Sequence, residues 1–322
     1  MEDARYAVVT VTPNPAIDWT LTVPDFAAGA VNRVAEQRSA AAGKGVNVAA
    51  ALAAHGRRVA ATGFLGTENA APFEALFARA GIGDGFVRVP GETRVGVKIV
   101  DPARGETTDV NFPGLAPSAD DVAALRERVA ALAAACPGAW FVLAGSLPPG
   151  VDPALYRELT GRLRGAGARV ALDTSGEPLR HALAARPHLV KPNADELAAI
   201  TGRALPDVDA VAAAARELVA GGVELAVISM GARGAVFVRA GEAVLARPPR
   251  VPVGSTVGAG DAMVAGTVAA LLAGLPLPEV ARLASAFSLA ALTRGAPGPA
   301  TRAEVEAAAA RIEVEPLADR LP

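Results

Sequence analysis

The stretch Gly254-Ser255-Thr256-Val257-Gly258-Ala259-Gly260-Asp261 holds the residue types and spacing with the most chemistry in the chain. Its three glycines permit backbone geometry that a Cβ would forbid. Behind them Val264, Val268, Leu271, Leu272 and Leu275 recur at helical spacing, which predicts a loop opening directly into a helix. Such a turn aims unpaired N–H groups, and the positive end of the helix dipole, at one spot suited to an anion, usually phosphate. A carboxylate at Asp261 repels that anion unless it has chemistry to do there. A general base beside a phosphoryl-stabilising nest is the layout of a kinase that phosphorylates a hydroxyl. The same residues also fit a plain glycine turn followed by a first-turn carboxylate that stabilises the dipole.

Other candidates lie upstream. Asp18 follows Thr12-Pro13-Asn14-Pro15 at the carboxyl side of a strand, where open α/β sheets collect ligands, so it is either a hydroxyl binder or a turn aspartate. In Gly43-Lys44-Gly45-Val46-Asn47 the glycines let a ligand approach the backbone, Lys44 supplies charge, and Asn47 offers donor and acceptor; the spacing is not that of a Walker A loop. Arg94 and Lys98 stand an even number apart on a strand-like run and share a face, fit either for a substrate phosphate or for a solvated edge. Asn193-x-x-Glu196 can order the waters of Mg²⁺ or form a capping box, and spacing alone favours the box. His55, His181 and His188 show no metal-ligand spacing.

The elements that must position these residues alternate. Strands are expected at 6–11, 59–65, 140–144, 169–172, 189–190 and 225–229, with a helix following the stretch 41–48 through about His55 and others at 72–80, 118–135, 152–163, 177–185, 207–220, 278–293 and 302–311. That order predicts an α/β domain with a parallel sheet covered on both faces, continuous over residues 1–322. Two strand pairs break the alternation: a hairpin of 93–100 and 107–112, which bears Arg94, Lys98 and Asn111, and the pair 235–238 and 243–246. The uncharged run from Ala262 to Pro278 is shorter than the ~20 residues of a membrane span and is closed by Gly274, Pro276 and Pro278, so a buried core helix is expected.

Composition excludes several classes. With 322 residues, 52% hydrophobic and a net charge of −2, the chain is no electrostatic nucleic-acid binder. Cys136 is its single cysteine, which excludes an internal disulfide and any multi-cysteine metal site and fits a reducing cytoplasm. Glu2, Asp3 and Arg5 ahead of a short apolar strand do not make a signal peptide.

Together these motifs carry a resemblance. Gly254–Asp261 resembles the C-terminal signature of the ribokinase-like, or PfkB, carbohydrate kinases, 43–47 their N-terminal glycine motif, and Asn193-x-x-Glu196 their magnesium-associated motif, in the family's order over essentially the whole chain. The segments 12–18, 42–47, 93–98, 108–112 and Gly145-Ser146-Leu147-Pro148-Pro149-Gly150 resemble the branch acting on fructose 1-phosphate; tagatose 6-phosphate, fructose 6-phosphate and a non-catalytic sugar-phosphate sensor are the alternatives. The broad family often has Asp-Thr where this chain has Ser255-Thr256, which leaves the role of residue 255 open. The resemblance implies a three-layer αβα sandwich with a small β lid from about 19–38 and 92–113, and a homodimer through that lid. It implies Asp261 as base with Gly258, Ala259 and Gly260 as anion hole; Asp18, Gly43, Lys44, Asn47, Arg94, Lys98, Asn111 and Ser146 at the phosphosugar. ATP is expected at Lys191, Asn193, Ser229, Gly231, Ser255, Thr256, Val257, Gly258 and Gly260, with Glu196 serving Mg²⁺.

Overall fold

The computed structural model describes residues 6–251, 258–294 and 298–318. In chain order the first half comprises β1 (Val8–Thr12), β2 (Ala16–Thr22), β3 (Glu36–Ala42), α1 (Lys44–Ala54), β4 (Val59–Gly66), α2 (Ala71–Ala80), β5 (Gly83–Asp84), β6 (Val87–Val89), β7 (Val95–Asp101), β8 (Glu106–Asn111) and α3 (Ala119–Ala135). There follow β9 (Trp140–Ala144), α4 (Leu155–Gly165), β10 (Arg169–Asp173), α5 (Gly176–Leu183), β11 (Leu189–Val190), α6 (Ala194–Thr201), α7 (Val208–Ala220), β12 (Leu225–Ser229), β13 (Ala235–Arg239), β14 (Glu242–Arg247), α8 (Ala259–Leu272), α9 (Leu277–Thr293), α10 (Arg302–Ala309) and β15 (Glu313–Pro316).

The main sheet runs β15-β14-β13-β12-β11-β10-β9-β1-β4-β5, with β6 also on β4. It is parallel from β12 to β5 and antiparallel from β12 outward to β15. Its central strands are continuous apolar runs because both faces are covered. Val8, Trp140 and Val142 pack into one layer with α1, α2, α8, α9 and α10; Val9, Val11, Phe141 and Leu143 pack into the other with α3 to α7. This is the three-layer αβα sandwich expected from the alternation. Among the described residues no helix is long and apolar enough to cross a membrane, and α8 is the core helix that its uncharged run predicts.

A second sheet, β3-β2-β7-β8, stands apart. The chain enters it three residues after β1 ends, and β3 returns through Gly43 to α1, so the small sheet is tethered at the carboxyl edge of the main one. It includes the expected hairpin, and its first two strands extend a few residues beyond the expected 19–38 at each end. One rung aligns Ala40, Asp18, Gly96 and Asn111; the next pairing in that face brings in Lys98 and Asp109. The opposite face carries Trp19, Val97 and Val110. Strands β5, β6 and β15 went unanticipated: the two residues of β5, the three of β6 and the charged run Glu313-Val314-Glu315-Pro316 carry too little alternation to be read.

The helices α8 and α9 are pressed together at Gly266, where a Cβ would lie 2.8 Å from the Ala284 Cα and 3.0 Å from the Phe287 Cβ. Gly266→Ala is therefore expected to destabilise the fold by about 1–3 kcal/mol through overpacking, read as a lower urea midpoint at unchanged m-value. An unchanged midpoint would show that the two helices separate at no cost.

Candidate active site

Two helix N-termini meet at the carboxyl edge of the main sheet. Helix α1 begins behind Gly43, whose φ of 122° favours glycine. A Cβ on Gly45 would lie 2.2 Å from the Thr12 Oγ1, so the backbone of the helix rests directly on the Thr12 side chain at the end of β1. Helix α8 begins behind Gly258 in the left-handed region, at φ 78°. Neither N-cap has a side-chain hydrogen bond, which leaves first-turn N–H groups for a ligand. Asn47, one turn into α1, donates from Nδ2 to the Oδ2 of Asp261 at 2.7 Å and joins the two helices.

Asp261 is buried, as is Asp173 at the end of β10. The Oδ1 of Asp173 accepts from the Lys44 Nζ at 3.1 Å and lies 3.4 Å from the Lys191 Nζ, while its buried Oδ2 has no hydrogen-bond partner among the described residues. Gly260 lacks the Cβ that would stand 3.4 Å from the Lys191 Nζ, so this ammonium sits against the first turn of α8. Burial, and next the charge of Asp173, push the Asp261 carboxyl up to about 6; the Asn47 hydrogen bond, Lys44 and Lys191 pull it back. For Lys44 burial works against the charge, but Asp173 and Asp261 outweigh it and lift the ammonium above its ordinary value.

The polar face of the small sheet closes another side. Lys98 lies 3.3 Å from the Asp18 Oδ2 and 3.4 Å from the Asp109 Oδ1. The charge expected to face a phosphate jointly with Arg94 is thus already opposed by two carboxylates. Gly96 sits between Asp18 and Asn111: a Cβ there would lie 2.9 Å from the Asp18 Oδ1 and 3.3 Å from the Asn111 Oδ1. Among the described residues Arg94, just before β7, makes only long bonds of 3.4 Å to the carbonyls of Asn14 and Phe112, and its buried Nε has no partner. Burial lowers the Arg94 pKa, with Asp18 opposing. Asn14 donates to Ser146 Oγ and to the Pro113 carbonyl, each at 3.2 Å, which ties Ser146 to the root of the hairpin.

On the far side of α8, Asn193 bridges to Ser229 at the ends of β11 and β12, and Gly231 follows with φ 59°. Asn193 Oδ1 accepts from the Glu196 N–H at 2.7 Å, and Glu196 Oε2 accepts from the Asn193 N–H at 2.8 Å. The capping box favoured by spacing is present. Ser255, Thr256 and Val257 lie outside the described residues. The histidines are structural where the packing speaks: His55 stacks on Phe287 and His188 Nδ1 accepts from the Val170 N–H. Sequence reasoning had not singled out Asp173 or Asn14 as site residues. Asp173 ends a strand at the sheet's carboxyl edge, as Asp18 nearly does, so the same rule could have found it.

A buried carboxylate of raised pKa, two helix N-termini, two lysines and a polar flap define a phosphotransferase site for an alcohol acceptor. Comparison makes the class specific. The chain belongs to the pfkB family of carbohydrate kinases, whose model matches residues 9–304. It is 55% identical to the 1-phosphofructokinase of Rhodobacter capsulatus over 88% of this chain and 90% of that protein. It is 48% identical to the 1-phosphofructokinase of Xanthomonas campestris pv. campestris, over 95% of this chain and 97% of that protein. The structure of Escherichia coli phosphofructokinase-2 in complex with fructose-6-phosphate superposes with a TM-score of 0.88 at 31% identity, covering 95% of this chain and 98% of that one. A tetrameric inhibited form of that enzyme superposes with a TM-score of 0.87.

The Asp261 pKa carries a stability consequence. Its folded value, about 6, lies above the ordinary 3.8, so the native state binds the proton more tightly and ionisation opposes folding as pH rises from about 4 through 6. At neutral pH this costs about 3 kcal/mol at 1.36 kcal/mol per pH unit. Asp261→Asn is expected to match or exceed the parent's urea stability at pH 7.5, with the advantage vanishing below pH 4. A variant markedly less stable at pH 7.5 would show that the ionised carboxylate is well paired.

Proposed function

We propose that the chain transfers the γ-phosphoryl of ATP to the C6 hydroxyl of fructose 1-phosphate, giving fructose 1,6-bisphosphate and ADP. The observation that carries this reading is the buried Asp261 carboxylate, held by Asn47 at the uncapped N-terminus of α8. Asp261 takes the C6 hydroxyl proton as that oxygen attacks phosphorus, and the first-turn amides of α8, at Ala259 and Gly260 beside Gly258, hold the charge that develops. Asp18, Asn111 and Asn47, with the Gly43 backbone and Ser146, bind the sugar hydroxyls. The open Nε of Arg94 makes it the cation for the C1 phosphate, and Lys98 holds Asp18 in place through their 3.3 Å contact.

ATP lies along Lys191, Asn193, Ser229 and Gly231. Among the described residues no cluster of three or more metal-binding side chains exists, as suits an Mg²⁺ held chiefly by phosphates and waters. Glu196 fits it: among the described residues only Oε2 is engaged, so Oε1 is available to a metal-bound water. When bound, Mg²⁺ supplies charge neutralisation across the phosphates. The small sheet acts as a lid that excludes competing water. Its other face exposes Trp19 and Val110, with Phe112 just beyond, and pairs with that of a second copy in a homodimer. The protein works in the cytoplasm on small molecules, away from nucleic acid and membrane.

ATP turnover against fructose 1-phosphate, fructose 6-phosphate, tagatose 6-phosphate and fructose tests the reading. The highest kcat/KM is expected for fructose 1-phosphate; a higher value for either 6-phosphate moves the assignment to that sugar, and turnover of none would leave a sensor. Asp261→Asn should bind ATP normally and lose about 10²–10⁴ in kcat, and retained kcat would remove it as base. Arg94→Ala should raise KM for the phosphosugar far more than for ATP; equal rises would exclude a phosphate contact.

A further inference from the structure

The Asp173 carboxylate has no part in the reading above, yet it holds two lysines from different elements beside Asp261. Lys44 comes from the first turn of α1 and Lys191 from the end of β11, and both ammoniums address the same oxygen, Oδ1. Lys44 pairs with Asp173 next to the Asp261 carboxylate, whereas Arg94 reaches the carbonyls of Asn14 and Phe112 at the root of the small sheet, beside Asp18. The two cations therefore keep different company: the proposed base for Lys44, the hairpin root for Arg94. On a ketohexose phosphate the existing phosphate and the accepting hydroxyl are at opposite ends of the sugar.

We propose that Lys44 acts on the transferring phosphoryl group rather than on the substrate's own phosphate, and that Asp173 is the positioning residue that clamps Lys44 and Lys191 on either side of that group. The inference rests on the kinase reading above and extends it. In the step, the O6–P bond forms, the bond from phosphorus to the bridging oxygen of ADP breaks with its electron pair left on ADP, and the proton of O6 passes to Asp261. With Asp261 ionised, two lysines and two carboxylates make the pocket neutral. When Asp261 takes the proton, the pocket gains one positive charge at the moment negative charge spreads over the transferring oxygens and the leaving group. Asp173 does not touch the reacting atoms: it keeps both ammoniums from collapsing onto Asp261, and its unpartnered buried Oδ2 is the polarity left over from that arrangement.

The groups facing Asp261 are Asp173 and the two lysines, with Asn47 as hydrogen-bond donor, and they set opposite signs for two variants of the full-length protein. In Lys44→Met, kcat on the best phosphosugar of the panel should fall on the order of 10²–10³ with KM for that sugar within about threefold. The acid limb of its kcat–pH profile should move up. In Asp173→Asn, kcat should also fall, but the acid limb should move down, because the nearest negative charge is gone. Lys44→Arg should recover part of the lost rate. A tenfold or larger rise in sugar KM with kcat retained in Lys44→Met would return Lys44 to the substrate phosphate. Limbs that stay put or move in the same direction would reduce Asp173 to a structural anchor. If Asp173→Asn fails to fold, the limb shift in Lys44→Met and its KM-against-kcat split still decide. A parent with no acid limb, together with an active Asp261→Asn, would fault the base assignment instead, so the two failures are distinguishable.

Discussion

On the proposed reading the site depends on one carboxylate, Asp261, that is buried and must nonetheless ionise. Water would stabilise it but would also compete for the phosphoryl group, and fixed partners stand around it instead. One is neutral, Asn47; two are cationic, Lys44 and Lys191; and one, Asp173, is itself negative. The negative partner looks counterproductive until its contacts are counted as geometry. Two lysines left alone would pair with Asp261 directly, lower its pKa and take away its basicity. Burial first and then Asp173, which competes for the lysines, keep the carboxyl at about 6, and on the proposed reading that is a base near the working pH.

That arrangement constrains the backbone around it. Asn47 reaches Asp261 only because α1 and α8 start within one hydrogen bond of each other, and both starts demand glycine. At Gly45 the demand is space against β1; at Gly43 and Gly258 it is positive φ. The glycine-rich motifs are therefore steric statements first. They place a glycine with no side chain at both N-caps, and the uncapped amides are what an anion finds.

Much of this was legible in the chain itself. Continuous apolar runs gave away β1, β4, β9 and β12, because strands covered on both faces need no polar positions. The hairpin announced itself by interrupting the helical alternation. What stayed hidden were contacts between residues far apart in sequence. Lys44 reads as a cation awaiting phosphate until Asp173, 129 residues away, appears beside it. Lys98 reads the same way until Asp18 and Asp109 close on it across two strand pairings. Asn193 and Glu196 show a different limit. Their spacing encodes a capping box, the box is formed, and a carboxylate that caps with one oxygen still has another to offer, so the local motif and the chemical one were never exclusive.

The small sheet shows why a flap need not contribute a base or a nucleophile. Its two faces differ by one residue of register. One presents Asp18, Asn111 and the paired Lys98 around Gly96, where the missing Cβ leaves a slot between two side-chain oxygens. The other presents Trp19 and Val110 to solvent. A shift of one residue in any pairing would exchange these faces and remove the slot. Gly43 alone separates β3 from α1, and Pro13, Asn14 and Pro15 alone separate β1 from β2. The flap is therefore tethered by the same short backbone that places Asn47, so on the proposed reading the acceptor's hydroxyl groups and its base are measured from one origin.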